Sequence, residues 1–303
     1  ILASATPSIG LWPASLVAFV PFLFLIDKQI RTGKTSFFHL YLIGFCFSYI
    51  YALSCYYWVA NIHLAGMFVT AGVYASVCAL FPAGYYLGLK TIQSRFAFFL
   101  WLAGLWVCCE ILLSDVFLRI PSISVGYLLW PAEQLIQIAD ITGVFGVSLW
   151  IMMINLLIFF LIRYGIKKCM LILGTTGLAT CLLIAYGVIS SDRISSHSDS
   201  SFPASVVFTS LSSEGNEKEA LKEKKFRLLK QETVKSLIEN KEPFGQDPAL
   251  IVWPETSIPV FLRSVRERKF ISSLLAFSKK NQTPILMGAL SFKYSSSTTV
   301  DKY

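Results

Sequence analysis

Residues 141–162 read ITGVFGVSLWIMMINLLIFFLI, with no Asp, Glu, Lys or Arg among them. At 1.5 Å per residue a helix of that length covers about 33 Å. That suffices for the roughly 30 Å hydrocarbon core of a bilayer. A helix is the form such a stretch takes in lipid, because it satisfies every backbone polar group within the segment. Five more stretches of the same kind lie at about 9–26, 37–58, 67–88, 96–113 and 169–189, and Glu110 is the only formal charge in the six. The sequence therefore predicts a six-span membrane domain over residues 1–189.

The rest of the chain is different in kind. Of its 303 residues 55% are hydrophobic and 15% charged, with a mean hydropathy of +0.62. A soluble domain carries about a quarter charged residues, which argues against a wholly soluble fold and against disorder. Only nine of the 26 Lys and Arg precede residue 190, whereas all seven Cys do. The second part thus has no disulfide framework and no Cys-based metal site.

Charge in the loops sets the orientation. Lys28, Arg31, Lys34, Lys90, Arg95, Arg163, Lys167 and Lys168 fall in alternate loops, and the opposite loops, 59–66 and 114–140, hold only Arg119. Lys and Arg collect in cytoplasmic loops, so the expected cytoplasmic side is the one with the eight. Residue 1 and everything after 189 then lie outside the cytoplasm, which excludes a cytosolic nucleic-acid role despite the net charge of +8. An outer start at Ile1, which is not Met, leads us to expect a fragment with a further span upstream.

Residues 190–204 begin with the polar run SSDRISSHSDSS and read as a linker. From 205 to 303 the pattern alternates. SVVFTSL (205–211), ALIVW (249–253) and TPILMGAL (283–290) have strand character, with helical periodicity over 217–239 and 265–280 between them. Alternating strands and helices imply an α/β domain with right-handed crossovers.

The stretch most informative about chemistry is ALIVWPETSIP, 249–259. A buried strand runs into Pro254, which removes a ladder donor. Glu255 then follows the strand's C-terminal end, where ligand sites of α/β sheets gather. A carboxylate partly desolvated by Trp253, Pro254 and Ile258 suits general-base work. By spacing alone it equally reads as a turn cap or a solvent-facing group.

This stretch resembles the first catalytic motif of the nitrilase (carbon–nitrogen hydrolase) superfamily, in which a strand ends in a Pro-Glu pair. The whole chain resembles the bacterial apolipoprotein N-acyltransferases, a multi-span membrane part joined to a periplasmic nitrilase-like domain. The similarity rests on GLWP (10–13), YWVANIH (57–63), IQIADITGVFGVS (136–148) and WPETSIP (253–259), in that order. It implies a multi-span α-helical membrane bundle followed by a partial α/β nitrilase-like (α-β-β-α) domain, in the bacterial inner membrane with its soluble part on the periplasmic side. It further implies acyl transfer from a phospholipid donor to the N-terminal diacylglyceryl-cysteine of an apolipoprotein acceptor. The family's catalytic set is a Glu, a Lys and a Cys that carries the acyl group as a thioester. Only the Glu carries over, onto Glu255. The Cys is not in this chain, and Lys302 precedes the position of the family Lys, so the chain as given is expected to be inactive and monomeric, with no cofactor. Two departures stand out: residues 209–216 lack the family's Trp, and Leu113 stands where an Arg usually follows the Glu matched by Glu110. The rival readings are a membrane-tethered amidase and a non-catalytic membrane remnant.

Other candidates carry less. Glu110 lies near the outer interface and reads either as a functional intramembrane carboxylate or as a group reaching headgroups and water. Glu133 and Asp140 read as loop-shaping groups. His39, His63 and His197 share no metal-ligand spacing. Tyr49, Tyr51, Tyr56, Tyr57 and Trp58 read as an interfacial belt, or as the lining of a lipid path. The Lys-rich segment 217–235 reads as a solvated helix face, with attraction to anionic headgroups as a secondary role.

Overall fold

The computed structural model describes residues 10–33, 36–117, 123–196, 203–207, 218–239, 248–254, 267–288, 292–294 and 300–302. The chain divides into two compact units, Ile1–His197 and Ser198–Tyr303.

In the first unit the helices begin where sequence chemistry starts them. A 3₁₀ turn, Trp12–Leu16, precedes α1, Val20–Arg31, and each carries Pro in its first positions, where the missing N–H has no helical partner anyway. α2 is Phe37–Cys55, with Ser36 Oγ accepting the His39 N–H. α3, Leu64–Cys78, has His63 as its N-cap, its Nδ1 accepting the Gly66 N–H. α4, Phe81–Thr91, restarts the helix with Pro in its first turn. α5 is Arg95–Ile111 and runs into a π-helical segment, Leu112–Phe117. A 3₁₀ turn, Val125–Leu129, and the short α6, Glu133–Ile136, lead to α7, Ala139–Tyr164, which bends at Gly143 with φ of 64°. α8 is Met170–Ser196.

Six helical stretches among the described residues are long and apolar enough to cross a membrane: Trp12–Arg31, Phe37–Cys55, Leu64–Thr91 (α3 with α4), Arg95–Asp115, Ala139–Tyr164 and Met170–Arg193. The core between them is aromatic, with Phe19, Phe81, Phe99, Trp106, Phe159 and Phe160 fully buried. α8 continues to Ser196, so the polar run from residue 190 begins as helix, and the first strand starts at Ala204.

Glu110 is not the only buried carboxylate of this unit, because helix α1 continues past residue 26 and carries Asp27, which is 4% exposed. Its Oδ1 lies 2.8 Å from Arg31 Nε, one turn along α1, and its Oδ2 lies 2.9 Å from Arg163 Nε of α7. Tyr85 of α4 donates its hydroxyl to Oδ1 at 3.0 Å. A buried carboxylate is tolerated when its charge is paired and its lone pairs are taken, and these three donors do both. The cluster ties α1, α4 and α7 together at the end of the bundle that bears the basic loops.

In the second unit, β1 (Ala204–Val206), β2 (Leu250–Trp253) and β3 (Ile285–Met287) form a parallel sheet in that order. α9 (Lys218–Glu239) and α10 (Arg268–Lys280) are the crossovers. β4 (Phe292–Tyr294) and β5 (Val300–Lys302) pair separately as an antiparallel ribbon. Both crossover helices lie on one face. Trp253 meets Phe226 of α9 at 6.2 Å between ring centroids and Phe277 of α10 at 6.5 Å, and Phe226 meets Phe270 at 4.3 Å. The register places Val206, Val252 and Leu286 side by side on the opposite face, where Val206 and Leu286 are more than half exposed. The described residues thus form a β-α-β-α-β layer with helices on one side only.

Candidate functional site

The candidate carboxylate, Glu255, lies outside the described residues, and the structure defines the strand that leads to it. Ile251 and Trp253 of β2 point into the helix-covered core, 1% exposed each. Trp253 is held at both ends: its ring packs against Phe226 and Phe277, and its Nε1 donates to Thr233 Oγ1 at 3.0 Å. Thr233 is itself buried and donates to the Leu229 carbonyl at 2.7 Å. A buried indole N–H needs such a partner, so Thr233 fixes how far the end of β2 turns.

The ladder hydrogen bonds reach to the same level. The Val207 N–H donates to the Val252 carbonyl at 3.0 Å, and Trp253 pairs in register with Met287. The C-terminal rim of the sheet is therefore formed by Val207, Pro254 and Gly288, the residues that follow the three strands. Pro254 removes the next donor from the ladder. Loops that leave parallel strands at this edge commonly carry ligand chemistry.

Between the two crossover helices α9 places Lys230, which by sequence belongs to a charged helix face. Its Nζ donates to Ser273 Oγ at 3.0 Å and sits 3.9 Å from the Phe226 ring centroid. Burial holds its ammonium below the usual lysine range. No Asp or Glu salt bridge to it occurs among the described residues. Lys302 lies in β5.

In the membrane unit, Glu110 does not reach headgroups or water: it is 1% exposed. Its Oε1 accepts two hydrogen bonds, from Trp106 Nε1 at 2.9 Å and from the Val125 N–H at 2.8 Å. Oε2 makes none in the structure, although the Ser148 hydroxyl lies near the same carboxyl group. Ser148 Oγ accepts the next backbone donor, the Gly126 N–H, at 2.8 Å. The turn Val125–Leu129 lacks a cap from its own N-cap residue, Ser124. Its first two orphan donors are taken instead by side chains of α5 and α7. Gly126 is required here, because a Cβ would lie 2.5 Å from the Val144 carbonyl oxygen. Tyr51 of α2 adds a third tie, donating to the Ile123 carbonyl at 3.1 Å.

The sequence grouped Tyr51 with an aromatic belt, but Tyr51 and Tyr56 are buried, whereas Tyr57 and Trp58 are exposed by 57% and 44%. Only the latter pair suits an interfacial position. No cluster of His, Cys, Asp and Glu suited to a metal occurs among the described residues.

Comparison with known proteins fits this arrangement. Residues 1–157 match the family model of the apolipoprotein N-acyltransferase N-terminal domain. A protein of Chlorobaculum tepidum named apolipoprotein N-acyltransferase is 26% identical over 296 residues, which cover 93% of this chain and 51% of that protein. Another of the same name, from Geobacter metallireducens, is 26% identical over 314 residues, covering 97% of this chain and 56% of that protein. The chain spans about half the length of these curated relatives. Since the family model takes in more than half of its 303 residues, this multi-pass membrane chain belongs to the apolipoprotein N-acyltransferase family.

Proposed function

We propose that this chain supplies the membrane part and the first α/β layer of an enzyme that moves a fatty acyl chain from a phospholipid to the N-terminal diacylglyceryl-cysteine of an apolipoprotein. In this reading the basic loops face the cytoplasm, residues 205–303 face the periplasm of a bacterial inner membrane, and residues 1–189 and 190–204 are the membrane domain and linker. The observation that carries it is the family match of residues 1–157 together with a parallel strand that ends in Trp253-Pro254 at the sheet's C-terminal rim, with Glu255 next in the sequence.

The chemistry follows from the residue types. Glu255 accepts the proton of a thiol, whose sulfur attacks the phospholipid ester and forms a thioester as the lysophospholipid leaves. The lipoprotein amine then attacks the thioester, and the thiol is restored. The thiol lies outside residues 1–303, since no Cys follows residue 189. The α-β-β-α domain is consistent with the open apolar row of Val206, Val252 and Leu286, because parallel sheets are normally covered on both faces.

The test uses the longer protein that contains these residues. Glu255→Gln keeps the shape and removes the base, and general-base losses are about 10²- to 10⁴-fold. The expected result is a loss of that order in formation of a hydroxylamine-sensitive acyl thioester from phospholipid, with the protein still folded. Thioester formation at the unchanged rate sinks the assignment.

A further inference from the structure

The face between α1 and α2 carries an open groove of about 600 Å³, lined by Ala18, Pro21, Phe22, Leu25 and, across from them, Leu42, Ile43, Cys46, Phe47 and Ile50, with His39 at one end. Its floor is firm. Phe22 is buried, and its ring stacks on Phe47 at 3.9 Å between centroids. Its walls are open: Leu25, Leu42 and Ile50 are 44%, 40% and 67% exposed. We propose that the groove is a binding site for one acyl chain of an anionic phospholipid, whose headgroup is held by Lys28 and His39 in the leaflet that the basic loops face.

Three observations lead to this occupant. The first is length. From His39 to Ile50 the groove follows α2 for 11 residues, about 16 Å of helix. Half of a roughly 30 Å hydrocarbon core is about 15 Å, so the groove accommodates the chain of one leaflet and not a transbilayer segment.

The second is chemical polarity along the groove. On α1, Pro21, Leu25 and Lys28 lie four and three residues apart and so form one row on the helix surface. On α2, His39, Ile43, Cys46 and Ile50 form the facing row for the same reason. α1 ends and α2 begins at the same end of the bundle, joined by residues 32–36. The apolar rows therefore finish at a cation and an imidazole, both exposed at that end. An apolar slot with a basic mouth matches an acyl chain with an anionic head.

The third is that Lys28 is not committed elsewhere. Arg31 and Arg163, its basic neighbours, are both bound to Asp27. Lys28 has no carboxylate within ion-pair distance among the described residues. One basic residue near an anionic membrane surface contributes about 1 kcal/mol, or about fivefold in preference at 25 °C.

This site is separate from the acyl-donor site of the proposed reaction, which lies on the other side of the membrane, and it stands if that reading fails.

The groove contains its own reporter in Cys46, an exposed thiol. The whole chain, with Cys55→Ser, Cys108→Ser and Cys181→Ser, is labelled at Cys46 with bimane and reconstituted in phosphatidylcholine vesicles. Quenching is then measured with chain-labelled doxyl lipids. Doxyl-phosphatidylglycerol is expected to quench at about one-fifth the mole fraction that doxyl-phosphatidylcholine needs. Lys28→Gln should abolish most of that preference while leaving the phosphatidylcholine curve in place. Leu25→Trp, which fills the slot, should weaken quenching by both lipids.

Equal quenching by the two lipids in the unmodified site overturns the proposal. So does displacement by water-soluble glycerophosphoglycerol at concentrations like those of the intact lipid, which identifies a plain anion site. Absence of quenching by any lipid, together with Cys46–Cys46 cross-linking between copies, assigns the groove to a protein contact and also overturns it.

Discussion

Glu110 offers a quantitative test of how the membrane unit holds its loop. Glu110→Ala removes the acceptor of two buried donors, Trp106 Nε1 and the Val125 N–H. A buried donor left without a partner costs about 1–3 kcal/mol, and the vacated side-chain volume adds a cavity cost. Two donors therefore give about 3 kcal/mol, allowing for partial relaxation of the turn. For a unit of this size 1 kcal/mol moves the melting midpoint by about 2–4 °C, so the variant should melt about 6–12 °C below the parent. Glu110→Gln is the informative companion. Its amide oxygen can replace Oε1 and keep both hydrogen bonds, while its NH₂ falls where Oε2 makes none. It should lose about 1 kcal/mol, or 2–4 °C. Detergent-solubilised protein followed by a thiol-reactive dye gives the midpoints. Hydrogen exchange of the peptide spanning 123–129 localises the effect, with faster exchange in Glu110→Ala than in the parent. An alanine variant that melts within 2 °C of the parent refutes the anchoring role. A glutamine variant as damaged as the alanine one shows that charge, and not acceptor geometry, is what matters.

Two further expectations concern the other anchors. Asp27→Asn leaves Arg31 and Arg163 facing a neutral group; removing one partner of a buried pair costs about 3–5 kcal/mol, and because both arginines keep partial solvent contact (43% and 36% exposed) the low end applies. A midpoint lowered by about 6 °C or more is expected, with most of the loss shared by Arg163→Gln in a double-mutant cycle; additive losses contradict the cluster. In the α/β unit, Thr233→Val removes the acceptor of the Trp253 indole and should cost about 1–3 kcal/mol, whereas Thr233→Ser should cost much less; urea titration followed by tryptophan fluorescence separates them, and equal losses count against the hydrogen bond.

Much of this was legible in the sequence, and the failures have a common cause. Spans were read from runs without charge, and that rule works because hydrocarbon offers a lone charge no partner. It stops at Asp27, whose two arginine partners lie 4 and 136 residues away. Only one of those is within reach of a local reading, so a carboxylate buried near the end of α1 is not legible from the sequence. For the same reason the sequence leaves two readings open for Glu110, of which burial removes the headgroup-facing one. Its partner Val125 lies across a loop, and nothing local distinguishes a carboxylate that folds inward from one that faces headgroups. Tyr51 looked like its neighbours in an aromatic cluster until a carbonyl 72 residues away claimed its hydroxyl. In the second unit the strand–helix alternation was readable because each strand is a short apolar run between polar segments. The role of Thr233 was not, since a threonine within a charged helix carries no mark of a buried indole beside it.

The two sheet faces set a further condition on the candidate site. The face under α9 and α10 is closed by Ile251, Trp253 and Leu229, each 1% exposed or less. The other face presents Val206, Val252 and Leu286 in one row across three strands. Fully burying a Val or Leu side chain is worth about 1.5–3 kcal/mol, so covering this row supplies several kcal/mol to a layer whose own closed core is small. Pro254, the residue before Glu255 in the sequence, stands at the rim common to both faces. The alignment of that rim depends on β2 keeping its place between both neighbours, which the closed face already favours and burial of the open apolar row would strengthen. On the proposed function, the site at that rim is coupled to whatever packs on the open face. On the proposed function, Leu286→Ser should then slow thioester formation in the longer protein about tenfold, although residue 286 is in β3 and not in the strand that precedes Glu255. A rate within twofold of the parent, with the α/β unit still folded, shows instead that β2 and its helix layer fix the rim alone.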